Sequence, residues 1–374
     1  MARKVTATST ERVTLAEVAA EAGVSLMTVS RVVNDRSGVG IETRERVRQA
    51  VESLGYRPNI VARGLKASSS RSIGLLVPDV TNPYFPEIVR GAEDVAIRHG
   101  YTLLLTNGIE DQARETLALQ SFEDHMVDGV IACSPRLDND DLYPLLERQR
   151  AAVLVNRRTD PKIAGSVRID HELGARLLLR HLHDIGCRRP GFLTGPLHSH
   201  AGRERMLGID REARELAIEV PRSRLVPCAP TVEGGEAAAA ELLHREPTID
   251  ALFCFNDLVA AGAMQAVAKL GIRVPQDVAV TGYDDIVFAR MFKPALTTIR
   301  APTYELGQQA ATLLLDRMQG RGHGIDIVLQ PELMVRDSTV GFEPTGSDHS
   351  GASRAKASKT KAPAAVAGSG RRNR

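Results

Sequence analysis

Between Val13 and Asn34 the chain reads VTLAEVAAEAGVSLMTVSRVVN, and its second half carries hydroxyl, amide and guanidinium donors on a short helical stretch. Thr28, Ser30 and Asn34 have the chemistry to donate to phosphate oxygens, and Arg31 to hold a guanine edge through two parallel hydrogen bonds. Leu26 and Met27 open the same helix and donate nothing, so what they read on a base must be a thymine methyl or the shape of a groove. A second set is spread over the rest of the chain. Asp79, Asn82, Asn156, Arg205, Asn256 and Asp284 combine carboxylates, amides and a guanidinium, the set that holds the hydroxyls of a polyhydroxylated ligand.

Both sets need elements to position them. Thr14 stands three residues before Glu17 and just ahead of Leu15, Val18 and Ala19, a capping box leading into an apolar stripe of helical period. Gly23 is free to end that helix with a positive φ, and Ser25 is placed to cap the next one, whose inward residues are Val29 and Val32 or Val33. A third helix is expected from Ile41 to Leu54, stopping at Gly55 and carrying Arg44, Arg46 and Arg48. Tyr56-Arg57-Pro58-Asn59 then breaks the chain, because Pro58 forces Arg57 out of the α region. The following NIVARGLK is too short to be a stable helix alone and runs into a small-residue linker, Ala67 to Ser70. A helical hairpin with a solvated polar face would share the first part of this pattern, so the hairpin does not decide function by itself.

From Ser72 onward short β-branched runs alternate with helical patterns: strands at 73–77, 101–105, 130–132 and 153–155, then a helix at 172–185 and strands at 191–194, 225–226, 251–255 and 278–282 with helices between them. That is the βαβ alternation of doubly wound parallel sheets. Ligands in such sheets bind beyond the carboxyl ends of the strands. Asp79 and Asn82 follow the first strand, Asn156 the fourth, Asn256 and Asp257 the FCF strand and Asp284 the TGY strand; Arg203 and Arg205 start a helix after Gly195-Pro196-Leu197. Structural duties compete at several of these positions: Asn82 and Asp257 are plausible helix caps, and Asp285 a turn residue.

The net charge of +2 conceals an asymmetry. Residues 1–71 hold twelve Lys/Arg against seven Asp/Glu, residues 72–342 hold 29 against 37, and residues 343–374 hold seven against two. A basic head on an acidic body fits a nucleic-acid-binding unit joined to a small-molecule unit. The four cysteines show no CxxC spacing and read as reduced packing residues, no cleavable leader pattern precedes the head, and no apolar run is long enough to span a bilayer. A cytoplasmic, nucleoid-associated protein is expected, with no membrane partner.

The chain resembles the lactose-repressor (LacI/GalR) family of bacterial transcription regulators over about residues 13–340. The resemblance is carried by VSxxTVSRVVN, YRPNxVARGLK, SIGLLVPDVTNPYF, GPL followed by Arg203-Glu204-Arg205, FNDxxAAGAM, VPQDVAVTGYDD and PALTTI, seven motifs in one order. It implies an N-terminal all-α helix-turn-helix domain with a hinge helix, followed by an α/β periplasmic-binding-protein-like core of two doubly wound parallel-sheet subdomains. The expected division is a disordered extension at 1–12, the DNA-binding domain at 13–58, hinge helix and linker at 59–71, the effector-binding and dimerisation core at 72–342, and a disordered basic tail at 343–374. Function by resemblance is that of a repressor: a homodimer on a pseudo-palindromic operator, controlled by a small-molecule effector expected to be a sugar or sugar derivative, with a phosphorylated sugar and a nonsugar effector left open. By the same resemblance Thr14, Ser25, Leu26, Met27, Thr28, Ser30, Arg31, Asn34, Tyr56 and Asn59 are expected to face DNA, with packing an equal alternative for Tyr56, and Leu65, with Ala62 beside it, matches the family leucine that wedges into the minor groove. Arg205, Asn256 and Asp284 match effector positions, with Asp79, Asn82, Phe85 and Asn156 as further lining.

Two departures bear on specificity. There is no Trp, and where some relatives place a sugar-stacking aromatic the chain reads Ala229-Pro230-Thr231, so stacking must come from Tyr84, Phe85, Tyr283 or Phe288. The tail from Glu343 lacks Leu and Ile, so it cannot form a leucine heptad. Enzymatic readings find no GxSxG, HExxH or Walker sequence, and neither a cofactor nor a metal site is expected; His181 with His183 and His198 with His200 lack metal-ligand context. A transport solute-binding protein would share the core but not the basic head.

Overall fold

The computed structural model describes residues 13–56, 69–196, 198–322 and 324–343. The chain divides into two compact units, residues 1–70 and 71–374. The expected hinge helix with Asn59, Ala62 and Leu65, the extension at 1–12 and the tail from residue 344 lie outside the described residues.

In the first unit α1 (Leu15–Ala22), α2 (Leu26–Val33) and α3 (Ile41–Leu54) enclose a small core of Val18, Ala22, Val29, Val32, Val47 and Ala50, closed by Tyr56. The local signals act as expected. Thr14 Oγ1 accepts from Glu17 N while the Glu17 carboxylate accepts from Thr14 N, so two orphan donors of α1 are satisfied reciprocally. Gly23 and Gly55 end α1 and α3 at φ 63°, where a side chain would be strained. Ser25 caps α2.

The second unit holds two lobes. In the first, β1 (Ser72–Val77), β2 (Thr102–Asn107), β3 (Gly129–Cys133), β4 (Ala152–Val155) and β5 (Gly165–Ile169) form a parallel sheet in the order β5-β4-β3-β1-β2, flanked by α4 (Tyr84–Arg98), α5 (Gln112–Asp124) and α6 (Asn139–Glu147). The chain then crosses at Asp170 into the second lobe. There β6 (Pro190–Leu193), β7 (Leu225–Val226), β8 (Ala251–Cys254) and β9 (Ala279–Thr281) make a parallel sheet of order β7-β6-β8-β9 with α7 (His171–Asp184), α8 (His200–Leu216), α9 (Val232–Arg245) and α10 (Asp257–Lys269). Strand β10 (Thr298–Arg300) runs beside β9 through bridges at Thr281–Thr297 and Asp284–Arg300. The chain returns to the first lobe as α11 (Thr303–Met318) and β11 (Asp326–Leu329), which pairs with β5 as a sixth parallel strand, and crosses back as β12 (Glu332–Met334), antiparallel to β10.

Three helix pairs owe their closeness to glycine. A Cβ at Gly91 would stand 2.1 Å from Tyr304 O and one at Gly307 2.0 Å from Ile88 O, so α4 and α11 cross with backbones touching. Gly208 gives the same approach of α8 to Glu172 O on α7, and Gly235 with Gly262 joins α9 to α10. These contacts stack the layers that hold each sheet's strand ends in place.

Candidate functional site

The head offers one helix face. Along α2, Leu26 and Met27 are exposed, Thr28 and Ser30 half-buried, and Arg31 and Asn34 exposed. Several of the expected DNA contacts also have local work. Ser25 Oγ accepts from Thr28 N at 3.2 Å and bonds Thr28 Oγ1 at 3.0 Å, while Asn34 Nδ2 donates to Ser30 O at 2.7 Å and ends the helix. Tyr56 is 8% exposed and packs into the head's core. Arg44 supports the turn after α2 by an ion pair with Asp35 at 2.7 Å and a hydrogen bond to Arg36 O.

In the core the strand-end rule brings several of the selected residues together. Arg205, on the second turn of α8, reaches the loop beyond β9, where its Nη2 stands 3.6 Å from Asp284 Oδ1 and both side chains are 7% exposed. Its guanidinium lies over the Tyr283 ring at 3.6 Å and the Phe255 ring at 4.7 Å, and Nη1 donates to Phe255 O. Nε has no hydrogen-bond partner. A cation fixed this way between two π faces, with one buried carboxylate beside it, is preorganised to hydrogen-bond a ligand. Burial pushes the Asp284 carboxyl up to about 7 against the opposing pull of Arg205, so it changes charge near neutrality.

The backbone that presents Asp284 is strained. Asp284 and Asp285 have φ 116° and 55° in succession, a conformation that persists only when its surroundings impose it. Here they do. Asp285 is gripped by Arg300 Nε at 2.8 Å and Arg336 Nη2 at 2.6 Å, while Asp257, buried at the start of α10, accepts from Ile286 N at 2.8 Å and Thr298 Oγ1 at 2.6 Å. Burial, first, and the nearby Asp284 hold the Asp257 carboxyl well above its ordinary range. The loop carrying Asp284 is thus fastened to β10 and to the segment after β12, the strands that run between the lobes.

The remaining candidates divide. Asn156, at φ 55° after β4, donates to Tyr84 Oη at 2.7 Å and accepts from Ile169 N, so it ties β4, β5 and α4 together at the strand ends. Phe85 is 8% exposed beside Tyr84. Asn82 accepts from Tyr84 N, and Asp79 takes both Thr81 N and Thr81 Oγ1, so both serve the turn into α4. The cap of α10 is Asn256, whose Oδ1 accepts from Val259 N at 2.8 Å; the expectation that Asp257 caps this helix is corrected, since its carboxylate turns instead to Ile286 and Thr298. Asp285 is more than a turn residue, given its two arginine partners. Of the aromatic candidates for stacking, Tyr283 already has a face covered by Arg205, and Phe288 is 43% exposed on the surface.

Sequence reasoning passed over His171. It follows Asp170 at the first crossing, lies fully buried with its Nδ1 3.3 Å from Tyr283 Oη, and is held well below the ordinary histidine range by burial and then by Arg205 and Arg168. A histidine opening a helix after an aspartate gives no periodic or motif signal that would find it. Arg157 was missed too: it is 1% exposed and donates to Pro135 O, Leu137 O and Asn139 Oδ1, bracing the turn beyond β3. Among the described residues no group of three His, Cys, Asp or Glu could hold a metal ion, and no helix is long and apolar enough to cross a membrane.

Comparison with known proteins bears on both units. Residues 14–59 match the family described as bacterial regulatory proteins, lacI family, and residues 179–339 match a periplasmic binding protein-like domain. The chain is 35% identical to the HTH-type transcriptional regulator RegA of Clostridium saccharobutylicum over 326 residues, covering 87% of this chain and 98% of that protein. It is 35% identical to the ribose operon repressor of Halalkalibacterium halodurans, covering 88% and 98%. Among solved structures, the lac repressor dimer bound to operator and the anti-inducer ONPF superposes with a TM-score of 0.80 at 30% identity, covering 88% of this chain and 99% of that one.

Proposed function

The chain belongs to the lacI family of bacterial regulatory proteins, and on that premise we propose that it is a transcriptional repressor, a homodimer that grips a pseudo-palindromic operator and is controlled by a sugar or sugar derivative held between the lobes of its core. The observation that carries the effector half of this reading is the buried Arg205–Asp284 pair at the strand ends, its guanidinium clamped between Tyr283 and Phe255. A guanidinium and a carboxylate side by side present donors and acceptors together, which is what vicinal hydroxyls require. Asn256, Asn156, Asp79, Asn82 and Phe85 complete the proposed lining. A relative that is a ribose operon repressor supports the sugar class.

The DNA half rests on α2, with Arg31 reading a base, Leu26 and Met27 beside it, and Thr14, Ser25, Thr28, Ser30, Asn34, Tyr56 and Asn59 positioning the backbone. Leu65, with Ala62 beside it, is the proposed minor-groove wedge of the hinge segment. Exposed apolar side chains on edge strand β2 (Leu104, Leu105) and on the turn at Val287, Phe288 and Met291 supply one dimer face on each lobe. Working at the nucleoid in the cytoplasm follows from this activity.

Control follows from the three crossings. Effector bound across the cleft favours one relative orientation of the lobes, and the hinges of the two protomers part or approach with it. The test is a genomic binding-site selection with the full chain, followed by titration of a sugar and sugar-phosphate panel against the recovered site at fixed salt. A palindrome released by one compound supports the proposal; recovery of no palindrome overturns it.

A further inference from the structure

The first turn of α2 shows solvent two large apolar side chains in succession, Leu26 at 55% and Met27 at 68% exposure. Neither belongs to the head's core, which is made by Val18, Val29, Val32, Val47 and their neighbours. The polar groups beside them are committed locally: Ser25 Oγ bonds both Thr28 N and Thr28 Oγ1. This end of the helix therefore presents chiefly hydrocarbon and a flexible thioether to whatever it meets.

In a helix-turn-helix the second helix enters the major groove with its N-terminal residues against the base edges. The apolar group that a base pair shows there is the C5 methyl of thymine; the other marks are hydrogen-bond donors and acceptors, for which Leu and Met have no counterpart. A donor or acceptor pressed against them without a partner would be penalised, so the same two residues also reject the wrong pair. We propose that Leu26 and Met27 select the operator by packing against thymine C5 methyl groups, on adjacent base pairs of each half-site. The occupant of this apolar face is thus duplex DNA, the polyanion that the excess of Lys/Arg over Asp/Glu in residues 1–71 favours. The inference rests on the operator-binding reading above and adds the chemistry by which the site is chosen.

The experiment takes the operator recovered by selection with the full chain and replaces each thymine of a half-site, one at a time, by deoxyuridine, which removes the methyl and leaves the pairing edge intact. Kd is measured by fluorescence anisotropy at fixed salt for the protein and for the Leu26→Ala/Met27→Ala variant, whose two changes are at exposed positions. The expected result is a loss of about four-fold per buried methyl, at one or two adjacent positions, for the unaltered protein. In the variant the thymine-to-uracil ratio at those positions falls to about one, by the logic of a double-mutant cycle. Equal affinity for thymine and uracil throughout, or a ratio that survives in the variant, overturns the inference. So does a variant that keeps the ratio but changes self-association, since that assigns the two side chains to a protein contact. A selected palindrome without thymine in the region covered by α2 overturns this inference alone, whereas no selected palindrome overturns the operator reading and this one with it.

Discussion

Replacing Gly282 by alanine isolates the clamp that presents Asp284. Gly282 does not have a positive φ, so the added methyl brings no backbone strain; its cost is steric. The new Cβ would stand 2.2 Å from Asp257 Oδ1 and 2.7 Å from Leu296 Cδ2. Restoring an ordinary contact moves the carboxylate by about 1 Å, enough to break its 2.6 Å bond from Thr298 Oγ1. Asp257 and Thr298 are both 0% exposed, so no water replaces the lost partner. An orphaned buried group costs about 1–3 kcal/mol and the overpacking about 1–3 more, giving roughly 2–6 kcal/mol in all. The assay is urea unfolding of the full chain followed by far-UV circular dichroism, with effector-dependent operator release measured below the transition. Asp257→Ala alone should also destabilise, but Gly282→Ala combined with it should cost clearly less than the two added together, because the methyl then occupies vacated space. A Gly282→Ala protein within about 1 kcal/mol of the original, below the range set by overpacking and an orphaned hydrogen bond, or strict additivity with Asp257→Ala, refutes the reasoning.

Arg205→Ala should leave operator affinity within a factor of about two and weaken effector binding about ten- to a hundred-fold, the loss of charge-assisted hydrogen bonds, as read by calorimetry with the effector found by screening. Asp284 is held up to about 7, so effector affinity should rise from pH 6 to 8 as the carboxylate ionises, and Asp284→Asn should flatten the profile. The same raised value means that the unfolded chain loses this proton first: between about pH 4 and 7 the group erodes stability as pH rises, and Asp284→Asn should show a less negative slope of the urea midpoint with pH. Thr14→Ala removes the side-chain half of the capping box on α1, the acceptor for Glu17 N, and should cost the head about 1 kcal/mol, seen as faster amide exchange at Val18 and Val29 in the full chain.

Caps and buried strands were legible because their signals are local. Thr14 with Glu17, Gly23, Ser25 and the SIGLLV run each act within a few residues, and the structure uses them as written. The strand-end rule likewise brought Arg205 and Asp284 to one place. What local pattern does not carry is the partner. Nothing in the half-buried run DIVL says that it will pair with β5, some 160 residues earlier, and Thr303–Met318 has no mark that assigns it to the first lobe. Asn256 and Asp257 are both good caps by type; which one caps was decided by Thr298, 41 residues away, and by Ile286 N, which together draw the Asp257 carboxylate inward. His171 and Arg157 were hidden for the same reason, since their roles exist only through Tyr283 and the carbonyls after β3.

The route of the chain also sets an order of assembly during synthesis. The second lobe is built mainly from a continuous stretch, from α7 through β10, and closed later by β12, whereas the first is begun by β1 to β5 and finished only by α11 and β11. Ribosomes add roughly 5–20 residues per second. The half-made first lobe therefore waits several seconds with β5 as an open edge and with the surface that Leu306, Ala310 and Leu314 will cover still bare. A nascent chain stalled before Thr303 would hold a second lobe that lacks only β12 and the segment to Phe342 beside an unfinished first one, a state in which chaperone capture or strand pairing with a neighbouring nascent chain competes with folding. The dimer edge proposed at β2 borders the same core cluster, so on that reading occupation of an operator follows only after α11 has been made.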